Sequence, residues 1–161
     1  MNSPEPIIVY TDGSAKGNPG PGGYGIVMRQ GTFEKEFSAG YRLTTNNRME
    51  LLAVIVALEK IKLKNATVEV YTDSKYVSEA VNQRWVFNWE KTGFKKKKNV
   101  DLWKRFLRIY RQHTVAFHWV KGHNNNPYNE RCDKLAVTAA EQPLSQLLID
   151  EEYENSSAKL F

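Results

Sequence analysis

Three strand-patterned segments follow one another before any helical signal appears, and this order is the tightest constraint on the fold. Ile7-Ile-Val-Tyr-Thr-Asp12 reads as a buried strand; Tyr24, Ile26 and Met28 alternate with Gly25, Val27 and Arg29; and after Gly31 the run TFEKEFSAGYRL alternates again. The last two resemble an antiparallel hairpin, and GSAKGNPGPGGYG between the first two is expected to be turn or loop. Helical spacing begins at TTNNRMELLAVIVALEKI, with Thr and Asn as N-caps and so wide an apolar face that the helix must be largely buried. A strand at 68–73, a short helix at 74–81, a Trp- and Lys-rich stretch, a helix near 100–112 and a strand at 114–120 come next. Asn126-Pro127 then opens a helix reaching about Ala140. Strands then helices in this order predict an α/β fold, a mixed sheet flanked by helices.

At 161 residues the chain suits one domain. The expected division is a domain over residues 1–142, with its core at 7–140, and an acidic, loosely ordered tail at 143–161. No apolar run nears the ~20 residues that span a bilayer, MNSPEP is not a signal peptide, and the single Cys132 forms no internal disulfide. The expected location is the cytoplasm, as a monomer with no membrane partner. The net charge of +5 is uneven: Glu141, Asp150, Glu151, Glu152 and Glu154 face only Lys159 in residues 141–161, so the body is more basic than the total. A basic body favours a polyanionic partner such as nucleic acid.

Val-Tyr-Thr-Asp occurs twice, delivering Asp12 and Asp73 to strand ends. Either aspartate alone is most simply a turn former or helix cap. Glu50 is different, since it shares a helical stripe with Val54, Ala57 and Ile61 and so faces the core. Asp133 likewise leads an inward stripe of Ala136, Val137 and Ala140, and its neighbours Arg131 and Lys134 point elsewhere on the helix. Buried carboxylates need a cation. An oxygen-only ligand set, without paired cysteines or an HxxxH pattern, suits Mg²⁺ or Mn²⁺ rather than zinc. On a basic protein such a site points to phosphate chemistry with two metals.

TDGSAKGNPGPGGYG, TTNNRMEL, TDSKYV, NVDLW and WVKGHNNNPYNERCDKLA together resemble bacterial ribonuclease H of type 1 over about residues 7–140. The resemblance implies a five-stranded mixed sheet, three antiparallel strands then parallel ones. It also implies endonucleolytic hydrolysis of the RNA strand of RNA/DNA hybrids, giving 3′-hydroxyl and 5′-phosphate ends. The family's metal acids fall on Asp12, Glu50, Asp73 and Asp133, and its mobile histidine on His123. Contacts to the RNA strand fall on Gly17, Asn18, Asn46 and Glu50, with Lys75 where some relatives have glutamine. The grip on a DNA phosphate falls on Thr45 and Asn99, both of which are equally good helix caps. Asn126 stands where some relatives have a second histidine, and no role is assigned to it. His113 and His118 match nothing catalytic.

Residues 84–108 hold Arg84, Lys91, Lys95, Lys96, Lys97, Lys98, Lys104, Arg105 and Arg108 against Glu90 and Asp101. Such a protrusion binds backbone phosphates without sequence preference. It resembles the family's basic handle, with Trp85, Trp89 and Phe94 at the aromatic positions and a shorter lysine run, whereas Trp103 reads as core. Gly20, Gly22 and Gly25 formally satisfy GxGxxG, but a strand rather than a helix follows, so no dinucleotide site is implied. Two rival readings remain: a non-catalytic hybrid-binding module, which would have little reason to keep four acids, and an integrase-like nuclease, disfavoured by the short chain.

Overall fold

The strand Ile7–Ala15 (β1) is the middle of a five-stranded sheet. Gly20–Gln30 (β2) pairs with it antiparallel, and Phe33–Thr44 (β3) pairs antiparallel with β2. On its other edge, Thr67–Thr72 (β4) runs parallel to β1, and Thr114–Trp119 (β5) parallel to β4, giving the order β3-β2-β1-β4-β5. This computed structural model describes residues 4–122 and 126–158. The helices are Asn46–Glu59 (α1), Lys75–Asn82 (α2), Trp85–Lys91 (α3), Val100–Tyr110 (α4), Pro127–Ala140 (α5) and Glu151–Ala158 (α6). None is long and apolar enough to cross a membrane.

Successive residues of a strand face opposite sides, so paired positions sort the helices into layers. Gly13 and its partner Tyr24 face α1, whereas Gly25, paired with Asp12, faces α5. α1 lies between the sheet and α4, which explains why residues 48–55 are all buried and why its apolar pattern runs nearly all round. Trp103, Phe106 and Leu107 of α4 complete this core with Met49, Leu51, Ile55 and Leu58. Full burial of each such side chain contributes about 1.5–3 kcal/mol.

The glycine-rich stretch is mostly strand: only residues 16–19 lie outside β1 and β2. The glycines serve close packing. A Cβ on Gly25 would overlap the Cys132 carbonyl of α5, so glycine there is what lets that helix lie directly on β2. The formal GxGxxG, expected to lie in a turn that leads into a strand, is itself part of β2.

The expectation of a loosely ordered tail is corrected. Leu148 exchanges backbone hydrogen bonds with β3, its N–H donating to the Gly40 carbonyl at 2.8 Å and its carbonyl accepting from Arg42 N–H at 2.9 Å. Asp150 is buried, taking Arg48 Nε at 2.6 Å, Arg48 Nη2 at 2.9 Å and the Thr44 hydroxyl at 2.8 Å. An acidic run reads as solvated only when its cation, here 102 residues away, is out of view.

Candidate active site

The parallel pairing of β1 with β4 ends at Thr11 and Thr72, and the two aspartates come immediately after. Asp12 is therefore not at a strand end, because β1 runs on to Ala15 along β2 alone. Asp73 does follow the end of β4. Ser74, not Asp73, caps α2, its Oγ accepting from Val77 N–H at 3.2 Å, so the Asp73 carboxylate is not spent on a cap.

Glu50 reaches them because residue 13 is glycine. A Cβ there would overlap the α1 backbone at Met49 and lie 2.5 Å from the Glu50 nitrogen, so only glycine admits the helix this close to Asp12. One carboxylate oxygen each from Asp12, Glu50 and Asp73 lies within 4.8 Å of the others. Asp133 stands outside that trio but lines the same cavity of about 380 Å³, with Asn46 and Lys75. Arg131 does not neutralise it, since that guanidinium is taken by Glu34 and Glu36 of β3.

Asp12 and Glu50 are only 7% and 8% exposed, and Glu50 Oε1 is buried with no hydrogen-bond partner among the described residues. Burial, reinforced by the Asp73 charge, pushes the Asp12 carboxyl up to about 7, against the Gly13 N–H that donates to its Oδ1 at 2.9 Å. Burial and then the charges of Asp12 and Asp73 hold Glu50 well above the usual carboxylate range. Three carboxylates so close cannot all ionise cheaply without a cation, and an oxygen-only donor set with an orphaned buried oxygen fits a hard divalent ion. Cys132 is no candidate nucleophile: burial raises its thiol to about 12.

The RNase H family model matches residues 4–141. The chain belongs to the RNase H family. It is 54% identical over 142 residues to a ribonuclease H of Desulforamulus reducens, covering 85% of this chain and 89% of that one. It is 48% identical over 159 residues to a ribonuclease H of Rippkaea orientalis, covering 96% of each. Among solved structures, LC9-RNase H1, a type 1 RNase H with the type 2 active-site motif, matches with TM-score 0.77 at 34% identity over 99% of this chain and 84% of that one. LC11-RNase H1 in complex with RNA/DNA hybrid matches with TM-score 0.62 at 32% identity, covering 83% and 96%. These relatives support a ribonuclease H activity for the chain, and the expected five-stranded mixed sheet is the one observed.

Beside the acids of this RNase H lies a larger groove of about 670 Å³, which shares Asn47 with their cavity and is lined by Asn18, Thr45, Lys97, Lys98 and Asn99. Several of these polar groups also have structural partners. Asn46 Oδ1 accepts from Ala15 N–H at 2.6 Å, and Asn18 Oδ1 accepts from Asn46 N–H at 2.9 Å, tying the Gly17 turn to the start of α1. Thr45 caps α1, accepting from Arg48 N–H at 3.2 Å. Asn99 accepts from Arg48 Nη1 at 3.3 Å and donates to the Tyr76 hydroxyl at 3.0 Å.

Lys95 to Lys98 are exposed, and Trp85 is 44% exposed. Trp89 is half-buried edge-on against Trp103, with the Lys97 ammonium 4.8 Å over its ring. Phe94 is a correction: it is 5% exposed and belongs to the core, so it supports the basic segment from below and cannot touch a ligand without unpacking. His123 lies outside the described residues. Asn126 caps α5, accepting from Tyr128 and Asn129 N–H. His113 accepts from Ala66 N–H, and His118 stacks on Tyr71. Sequence reasoning missed Tyr76, whose hydroxyl also accepts from Trp103 Nε1 at 2.9 Å, and Trp119, whose indole donates to the Asp73 carbonyl at 3.0 Å. Both lie within the family-like stretches TDSKYV and WVKGHNNNPYNERCDKLA, but nothing in those stretches marks their contacts, because both act through residues distant in the chain.

Proposed function

We propose that this protein is an endonuclease that hydrolyses the RNA strand of RNA/DNA hybrids by a two-metal mechanism, leaving 3′-hydroxyl and 5′-phosphate ends. The observation that carries the reading is the oxygen cluster of Asp12, Glu50 and Asp73 around an unpartnered Glu50 Oε1. Asp12, Glu50, Asp73 and Asp133 would hold Mg²⁺, with Mn²⁺ as a substitute. Divalent ions bound there supply an activated water and neutralise charge at the leaving oxygen.

The protein's own groups do the rest. Buried Asp12 and Glu50 give up their high proton affinity when the cation binds, so both enter as acceptors. Asn18, Asn46 and the Gly17 backbone present polar groups for 2′-hydroxyls, the feature that separates RNA from DNA. Thr45, Asn99, Lys97 and Lys98 line a groove suited to the phosphates of the other strand. Lys95, Lys96 and Trp85 extend it with a basic surface. His123 is assigned proton transfer or product release. The neighbour bound to an RNA/DNA hybrid supports the same substrate for this chain.

The test is cleavage of a labelled hybrid with Mg²⁺ or with EDTA, beside Asp12→Asn. Cleavage confined to the RNA strand, with Mg²⁺ and wild type only, is expected. Tight hybrid binding without any cleavage would instead establish a binding module.

A further inference from the structure

Lys75 opens α2 two residues after Asp73 and lines the cavity of the four acids. Among the described residues nothing else in that cavity's lining is cationic, so Coulomb attraction should draw its ammonium onto the carboxylates. It does not go there. Among the described residues Lys75 makes no ion pair within 4.0 Å, and its Nζ instead sits 5.0 Å from the centroid of the Trp119 ring. Trp119 ends β5 opposite Thr72, and its Nε1 donates to the carbonyl of Asp73 at 3.0 Å. The indole is thus fixed by one edge to the backbone that carries a candidate metal ligand. Its face is turned to the lysine, and it remains 45% exposed. Tryptophan gives the strongest aromatic face for an ammonium.

We propose that Trp119 is a positioning residue that holds the Lys75 ammonium off the acid cluster, leaving the carboxylates to divalent cations and Lys75 to a phosphate of the strand being cleaved. The inference rests on the hybrid-hydrolysis reading for its phosphate half. An ammonium dropped among the acids would satisfy them in place of the divalent ion. One held at the rim attracts the backbone of the strand that crosses the cavity without occupying the ligand oxygens.

The test titrates Mn²⁺ into the full-length protein, free of nucleic acid, by calorimetry, and separately measures hybrid cleavage against salt. Trp119→Leu should weaken Mn²⁺ binding about two- to fivefold, the scale of a lost cation–π contact at an exposed site. Lys75→Gln should bind Mn²⁺ at least as tightly as wild type. It should also raise KM for the hybrid far more than it lowers kcat, and reduce the slope of log KM against log salt by about one. The double variant should recover the Mn²⁺ affinity of Lys75→Gln, since no lysine is left to fall inward. If it stays as weak as Trp119→Leu, the indole merely supports the Asp73 backbone and the proposal fails. An unchanged KM and salt slope for Lys75→Gln would overturn the phosphate contact. The Mn²⁺ titrations need no substrate, so absence of hybrid cleavage by wild type would refute the proposed function while leaving the positioning role separately measurable.

Discussion

Arg48 and Asp150, 102 residues apart, form a buried bidentate pair, with Nε 2.6 Å from Oδ2 and Nη2 2.9 Å from Oδ1. The other edge of the same guanidinium holds Asp101 of α4 at 2.9 and 2.7 Å. One arginine therefore joins the start of α1, the start of α4 and the tail. Asp150→Ala would leave half of a buried guanidinium unmatched. The expected loss is about 3 kcal/mol in urea unfolding, with Tm lower by roughly 6–12 °C. Truncation after Gln142 should cost at least as much; a truncated chain as stable as the full one would mean that the tail contributes nothing.

Asp12 gives the metal-free protein a defined pH dependence. Its folded value of about 7 lies above the ordinary 3.8, so the folded state keeps a proton that the unfolded state has released between those values. The stability associated with that proton is complete below about pH 4 and is lost as pH rises through about 7. Relative to Asp12→Asn, wild type in EDTA should lose on the order of 2–4 kcal/mol between about pH 4 and pH 8. Added Mg²⁺ should restore it. Parallel stability curves for the two proteins would contradict the burial argument.

Gly25 sets the distance between β2 and α5. A Cβ there overlaps the Cys132 carbonyl and comes within 2.7 Å of the Leu135 Cβ, so Gly25→Ala must displace the helix that carries Asp133. A stability loss of about 1–3 kcal/mol is expected, as for other overpacked sites. The fall in kcat should exceed what unfolded protein explains, measured where the variant is still fully folded by circular dichroism.

The basic segment separates into surface and support. Replacing Lys95 to Lys98 with alanine, or Trp85→Ala, should raise KM and, for the lysines, flatten its salt dependence while largely sparing kcat. Phe94→Ala should do the reverse, costing about 3–5 kcal/mol of stability as a core truncation. Equal KM effects from Trp85 and Phe94 variants at matched folded fraction would return Phe94 to the binding surface.

Local patterning supplied the order of the five strands and of α1, α2, α4 and α5, whereas α3 and the tail helix α6 were not legible in it. The run of strands before α1, the Asn126-Pro127 start of α5 and the burial of most of α1 all follow from neighbours within a few residues. Glu50 on an apolar stripe was legible for the same reason: a carboxylate facing the core requires a partner wherever the helix lands. The resemblance then pointed to the same four acids. What sequence could not decide was who meets whom. Gly13 and Gly25 looked like turn residues, although their task is to admit α1 and α5 against the sheet. Phe94 looked like surface, although it packs into the core, and the acidic tail looked solvated, although Arg48 waited for Asp150. Lys75 was legible as a contact to the RNA strand in place of glutamine, but nothing in the sequence paired it with Trp119. Each of these depends on a contact between residues far apart in the chain, and contact energies of that kind are set by packing, after the local patterns have done all they can.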